Sequence, residues 1–413
     1  MRRFDVSRAA RTACALLCVP FMVQAAWAQG LSLDVAVATA LAHHPDLRAS
    51  MLEREASEGA TQQAGASPNP ELSALVEDTR QATRTTTLQW SQPIELGGKR
   101  AARISAARAS QDQADLEVSS RRAQVRSQVM AAFHGVAVAQ ERVRLSDELA
   151  RLSSQAREAA SKRVLAGKVS PVEELKAQVA EAQALSAGTL AQAEWRSAAA
   201  QLRQALGDPT VQFERVEADV GRLPLAAQWA PLAQRLEASP AIARARQEIM
   251  SRQALSDLER ARRTPDLTVT LGAKRDPQLG HDQAIVGMSL VLPLFDRNQG
   301  AILEASRRED KARAELDAVR ASVAAQATQA LSQLSSALAQ AQTLREKVLP
   351  AARQAFAAST KGYELGKFGF LDVLDAQRTL FEAETQALSA AAQAFQADAH
   401  LLELLGEPTL TKD

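Results

Sequence analysis

The chain has 413 residues, with 49 Lys and Arg against 48 Asp and Glu, and a net charge of +1 that implies neither nucleic acid nor an anionic surface as a partner. Aromatic residues make up only 4%, too few for a large core of ordinary composition, while Ala, Gln, Glu and Arg dominate as they do in long exposed helices and coiled coils. The two cysteines, Cys14 and Cys18, share one short N-terminal segment, so the rest of the chain has no disulfide or thiolate chemistry.

That segment, residues 1–28, opens with Arg2, Arg3, Arg8 and Arg11, continues through an apolar stretch from Thr12 to Ala26 and ends in Ala26-Trp27-Ala28. A basic start, a short apolar stretch and a small-x-small cleavage site predict a secretory signal peptide rather than an anchor. No later run of about 18 apolar residues suggests a transmembrane helix.

The remainder of the chain is written twice. Residues 29–209 and 232–408 carry the same landmarks in the same order, with 210–231 as linker and 409–413 as a loose tail. Pro45 matches Pro240 and Pro70 matches Pro265 at a spacing of 195; Pro93 matches Pro293 at 200; Gly167, Gln178 and Gly207 match Gly366, Gln377 and Gly406 at 199. A five-residue insertion between Pro70 and Pro93, where a hairpin loop tolerates it, and a one-residue change after Pro93 reconcile them. The expected unit is strand, strand, helix, helix.

Strands are expected at about 70–95 and 265–294. Leu72, Ala74 and Val76 alternate with Glu71, Ser73 and Glu77, Leu88 and Trp90 with Thr87, Gln89 and Ser91, Leu267, Val269 and Leu271 with Thr268, Thr270 and Gly272, and Val286, Met288 and Leu290 with Gly287 and Ser289. Period two with one polar face describes a strand wet on one side. The chain has only four such strands and no second sheet to cover them. In an exported protein this pattern predicts a membrane β-barrel with Leu72, Val76, Leu88, Trp90, Val269, Leu271, Met288 and Leu290 facing lipid. Four strands cannot close a barrel; three chains would supply twelve, enough for an aqueous passage.

Helical hairpins are expected at about 98–206 and 299–405. Apart from an isolated Gly135, nothing interrupts helix between Gly98 and Gly167, nor between Gly300 and Gly362. At about 1.5 Å per residue such stretches run roughly 90 to 100 Å. Val125, Val129, Ala132, Val136, Ala139 and Val143 repeat with four-three spacing, as do Val323, Ala327, Ala330, Leu334, Ala337, Ala341, Leu344 and Val348. That seam predicts coiled-coil packing with close helix axes. The hairpins turn at Gly167-Lys168-Val169-Ser170-Pro171 and Gly366-Lys367-Phe368-Gly369-Phe370, and end at Leu206-Gly207 and Leu405-Gly406.

Five segments in this order resemble the TolC-like outer-membrane efflux proteins, heavy-metal branch. They are Ala42-His43-His44-Pro45-Asp46-Leu47, Pro68-Asn69-Pro70-Glu71-Leu72, Gln92 to Arg100, Leu292 to Gly300, and Tyr363 through Leu371 to Gln377. The resemblance implies a mainly α fold with a small β part, built as a homotrimer. Its twelve-stranded barrel would sit in outer-membrane lipid, continued by a coiled-coil tunnel in the periplasm. It further implies an RND-type inner-membrane pump and a periplasmic adaptor as partners, and no enzymatic activity. Carried over residue by residue, the gate falls on Tyr363, Asp372 and Asp375. Some family members have an arginine after the turn where this chain has Phe368. Gly167, Lys168, Gly366 and Lys367 are the candidate adaptor-docking tips.

Three like-charged carboxylates at a constriction would favour cations. Equally, Asp372 and Asp375 sit in the first turn of a helix, where carboxylates complement its dipole. His43-His44 has the look of a metal pair, but with proline next and no third ligand it reads as a solvated helix end. His134, His281 and His400 are isolated; no acid-base pair, nucleophile constellation or phosphate loop appears, so no cofactor is expected. Besides a metal-efflux duct, the pattern allows a drug-efflux or type I protein-secretion duct, or a periplasmic scaffold without a pore.

Overall fold

The computed structural model describes residues 30–78 and 80–406; the expected signal peptide and the tail lie outside them. In chain order the elements are α1 (Leu33–His43), α2 (Pro45–Ala64), β1 (Glu71–Glu77), β2 (Thr85–Ile94), α3 (Lys99–Leu165), α4 (Pro171–Ala205), α5 (Trp229–Leu236), α6 (Pro240–Arg262), β3 (Leu267–Asp276), β4 (His281–Leu290), α7 (Gln299–Thr343), a π turn (Leu344–Val348), α8 (Leu349–Glu364) and α9 (Phe370–Leu405). The expected strand-strand-helix-helix unit lacked a helix. Pro45 and Pro240 open α2 and α6 at the position where a helix has no use for an N–H, and Ser239 caps α6 by accepting from the Ile242 amide at 3.3 Å. The segment expected as linker is shorter, because α5 begins at Trp229, and Leu31 forms a parallel bridge with Val216 inside it.

Two compact units make up the chain. The first comprises Gln128–Ala226, Leu334–Ala399 and the described residues up to His44. Here α3 and α4 run side by side, joined by Arg142–Glu194 at 3.1 Å and Arg157–Glu181 at 2.6 Å. Alanines 177, 184 and 191 form a buried seven-residue stripe on α4 that lets its axis approach closely. From α9, Phe395 stacks on His134 with ring centroids 4.0 Å apart, and Gln377 donates to Ser153 at 3.2 Å. The seam on α3 is wider than four-three spacing: Ala132 and Val143 are only half-buried, whereas Phe133, Ala137 and Val138 are buried beside Val129 and Val136. More than one neighbour covers this helix.

The second seam breaks where the spacing counted on Val348. Val348 is exposed, and Leu349 and Ala352 are buried instead. Pro350 explains the shift. Inside a helix a proline removes one backbone donor and crowds the carbonyl four residues back, and the chain absorbs this in the π turn. One extra residue in that turn carries the seam from Leu344 to Leu349.

The second unit comprises Pro45–Ser127, Ala227–Gln333 and the described residues from His400. Its sheet has the order β1-β2-β3-β4, antiparallel throughout. Beside it, Arg54 on α2 pairs with Asp115 on α3 at 2.6 Å, and Ala106 on α3 packs against Ala254 and Leu258 on α6. The Gln92 to Arg100 motif turns strand into helix. Gly97 and Gly98 take positive φ of 70° and 74°, and a Cβ on Gly97 would lie 2.4 Å from Thr264. Arg103 pairs with Glu95 and donates to the Ala64 and Ala66 carbonyls at 2.9 Å, tying the end of α2 to the start of α3.

Candidate functional site

The strand register puts the expected apolar residues on one face. Leu72, Trp90, Leu271 and Val286 lie in one row across the sheet; Ala74, Leu88, Ala273 and Ala284 in the next; Val269 opposes Met288, and Leu267 opposes Leu290. Val286 and Met288 are 77% and 76% exposed, and Leu72, Val76, Leu88, Trp90, Leu271 and Leu290 are exposed as well; Val269 is half-buried. The opposite face carries Ser91, whose hydroxyl lies 3.2 Å from that of Thr270, with Thr87, Gln89, Thr268 and Ser289. An uncovered apolar face this large on a sheet with two open edges is the pattern of a strand set made for lipid, not for water.

Both hairpin tips are built alike. At the end of α3 the Lys168 amide donates to the Arg163 carbonyl at 2.9 Å and that of Gly167 to Val164 at 2.9 Å; at the end of α8 the Lys367 amide donates to Gly362 at 2.8 Å and that of Gly366 to Tyr363 at 3.0 Å. Gly167 and Gly366 have φ of 66° and 73°, the left-handed turn that ends a helix in a Schellman motif. Ser170 caps α4, accepting from the Val172 amide at 3.3 Å, with Pro171 in its first turn. Lys168 and Lys367 are exposed.

Tyr363 is only 8% exposed, in a cluster with Ala160, Ala177, Phe370 and Val373. Arg163 is the residue here that the sequence did not flag. Its guanidinium lies 4.0 Å over the Tyr363 ring and donates to the Tyr363 carbonyl at 2.8 Å, so it holds the ring by charge and the backbone by hydrogen bond. The Tyr363 hydroxyl is buried and makes no hydrogen bond among the described residues. Phe368 covers Gly362 so closely that a Cβ there would lie 2.0 Å from the ring. Asp372 accepts from the Gly369 amide at 2.8 Å, closing the first turn of α9, while Asp375 one turn later is exposed.

The histidines go elsewhere. His43 is exposed as expected, but His44 is buried at the joint between α1 and α2 rather than solvated, because Pro45 starts the next helix immediately. His134 lies between Phe133 and Phe395, and burial lowers its pKa, opposed by the hydrogen bond with the Met130 carbonyl. Among the described residues no three of His, Cys, Asp and Glu are grouped to hold a metal, and no helix is long and apolar enough to cross a membrane.

Long helical hairpins carrying a four-stranded sheet with one lipid-suited face define an outer-membrane export protein, and the chain belongs to the outer membrane efflux protein family, whose profile matches residues 36–208 and again 232–407. The chain is 44% identical to the cobalt-zinc-cadmium resistance protein CzcC of Cupriavidus metallidurans, over 91% of this chain and 90% of that one. It is 28% identical to the nickel-cobalt-cadmium resistance protein NccC of Alcaligenes xylosoxydans xylosoxydans, over 78% of this chain and 74% of that one. In fold it is similar to CusC, whose crystal structures concern transmembrane channel formation. The TM-score is 0.79 at 18% identity, covering 92% of this chain and 93% of that one.

Proposed function

We propose that this protein is the outer-membrane exit duct of a tripartite efflux system for heavy-metal cations. The carrying observation is its 44% identity, over nine-tenths of both chains, to a cobalt-zinc-cadmium resistance protein. The sheet supports a trimer. β1 and β4 are its end strands, and backbone groups along an open edge have no partner in a bilayer unless another chain supplies one. Pairing β4 of one copy with β1 of the next, three times, closes twelve strands around a lumen lined by the Ser91 and Thr270 face.

In this reading the duct is passive. It takes cargo from an RND-type pump through a periplasmic adaptor, which docks at Gly167, Lys168, Gly366 and Lys367. Tyr363, Asp372 and Asp375 form the periplasmic gate, with Tyr363 positioned by Arg163. Two features bear on the gate. The Tyr363 hydroxyl is buried without a hydrogen bond among the described residues, a cost that a rearrangement of the tip would relieve, and Asp375 is exposed and not committed to capping.

Deleting the protein should raise sensitivity to zinc, cobalt and cadmium, and restoring it should reverse the loss. Unchanged metal tolerance with altered antibiotic tolerance moves the assignment to drug efflux, and loss of a secreted polypeptide moves it to protein secretion. Purified protein that fractionates as soluble and gives no conductance in planar bilayers sinks every duct reading and leaves a scaffold.

A further inference from the structure

We infer that, in the trimer, the joint after β4 docks on the residues that open β1 of the next copy, with Arg297 set against Glu71 of that copy. The inference rests on the trimeric reading above. Its template lies inside one chain, where β2 and β3 are neighbours. The joint after β2 packs on the segment that enters β3: Lys99 pairs with Asp266 at 2.8 Å, the Leu96 amide donates to the same carboxylate oxygen at 3.2 Å, and Gly97 abuts Thr264.

β4 corresponds to β2, and β1 to β3. Leu72 opposes Trp90 as Leu267 opposes Leu290, and the joints share a positive φ at Gly98 and Asn298, 74° and 59°. Arg297-Asn298-Gln299 therefore stands where Gly97-Gly98-Lys99 stands, and Asn69-Pro70-Glu71 where Thr264-Pro265-Asp266 stands. Antiparallel pairing of β4 with β1 of the next copy brings these two segments to the same end of the sheet, as it does for β2 and β3.

In the single chain Asn69 and Pro70 are exposed, while Asn298 is half-buried and its side-chain amide donates to the Glu259 carboxylate at 2.8 Å. Glu71 and Arg297 are exposed and in no ion pair among the described residues. Phe295 is 93% exposed, with Val291, Leu292 and Leu294 exposed beside it. An apolar run of this kind next to an unpaired arginine suits a contact that removes both from water. The two joints differ in one respect. Glycine at 97 lets its backbone lie against the Thr264 side chain, whereas Arg297 carries a side chain of its own. The second contact is therefore wider, and the guanidinium spans it and replaces the charge that Lys99 supplies in the first.

The test uses the full chain, exported and purified in detergent, with Glu71→Cys and Arg297→Cys together; the two native cysteines lie within residues 1–28. A short bismaleimide should give a ladder ending in a covalent trimer, and neither single-cysteine variant should. Light scattering on the same sample separates two failures. A trimer without the ladder overturns this contact alone, and a monomer overturns the trimeric reading beneath it. In a second measurement, Glu71→Arg or Arg297→Glu alone should lower the trimer fraction on dilution several-fold, and the double swap should return it to within about twofold of the parent. Losses that simply compound in the double variant overturn the pairing.

Discussion

Asp372 and Asp375 lie one turn apart in α9 and do different work. Asp372 is bonded to the Gly369 amide, so Asp372→Ala should cost about 1 kcal/mol of helix-end stability. Asp375 is exposed and shares its turn with Arg378, whose guanidinium is paired with Glu382 at 2.8 Å. Asp375→Ala should raise single-channel conductance in planar bilayers, or weaken block by multivalent cations, with little change in melting temperature; unaltered conductance and block would remove Asp375 from the gate. His134 makes a separate prediction. Burial lowers its pKa, so below the ordinary imidazole range near 6.5 the unfolded chain takes up a proton that the folded chain refuses. Stability is then present above that range and lost as pH falls toward the lowered folded value. Replacing His134 with Gln should flatten the fall in melting temperature between neutral and mildly acidic pH; an equal slope in both proteins would show that other groups set it. The family resemblance of the turn segment singled out Tyr363, Asp372 and Asp375 as gate candidates, and their place beside the turn glycine was plain in the sequence. Arg163 was not, because a basic residue in the last turn of a helix is the ordinary complement to its dipole, and only packing sets it over the Tyr363 ring.

Among the elements, the most consequential departure from the sequence pattern is the π turn before Pro350. A strict four-three count places Val348 in the seam, whereas the turn gives that place to Leu349. Leu349→Ala should therefore cost roughly 2–5 kcal/mol, and Val348→Ala should stay within about 0.5 kcal/mol, read by thermal or denaturant unfolding. Equal losses at the two positions would mean that the turn does not move the seam. The helices α2 and α6 also escaped the sequence reading, for a related reason. Their opening prolines look like breaks until one sees that each occupies a first-turn position, where proline is favoured. The Gly97-Gly98 and Gly167 and Gly366 turns were legible, since glycine with positive φ is what a helix entry or exit of this geometry needs.

At the scale of the molecule, the sheet's two faces decide where the chain can live. Met288→Arg places a charge on the apolar face and should cost about 2–4 kcal/mol of folding in a bilayer if it lies near mid-depth. Thr270→Arg, on the opposite face, should be tolerated. The fraction of heat-resistant oligomer in outer-membrane preparations measures both, and equal tolerance would argue that neither face meets lipid. Sequence alone was enough for the four strands and their apolar face, the uninterrupted α3 and the turn glycines, because alternation, helical period and punctuation are local properties. Tertiary structure alone decided the strand order β1-β2-β3-β4, the register that aligns the apolar rows, the seam shift at Leu349, the burial of His44 and the placing of Arg163 over Tyr363. The β2–β3 pairing and the Arg163 contact join segments nearly two hundred residues apart and leave no mark in the local pattern of either partner, whereas the π turn before Pro350 acts locally, on a packing seam that residue spacing alone does not register.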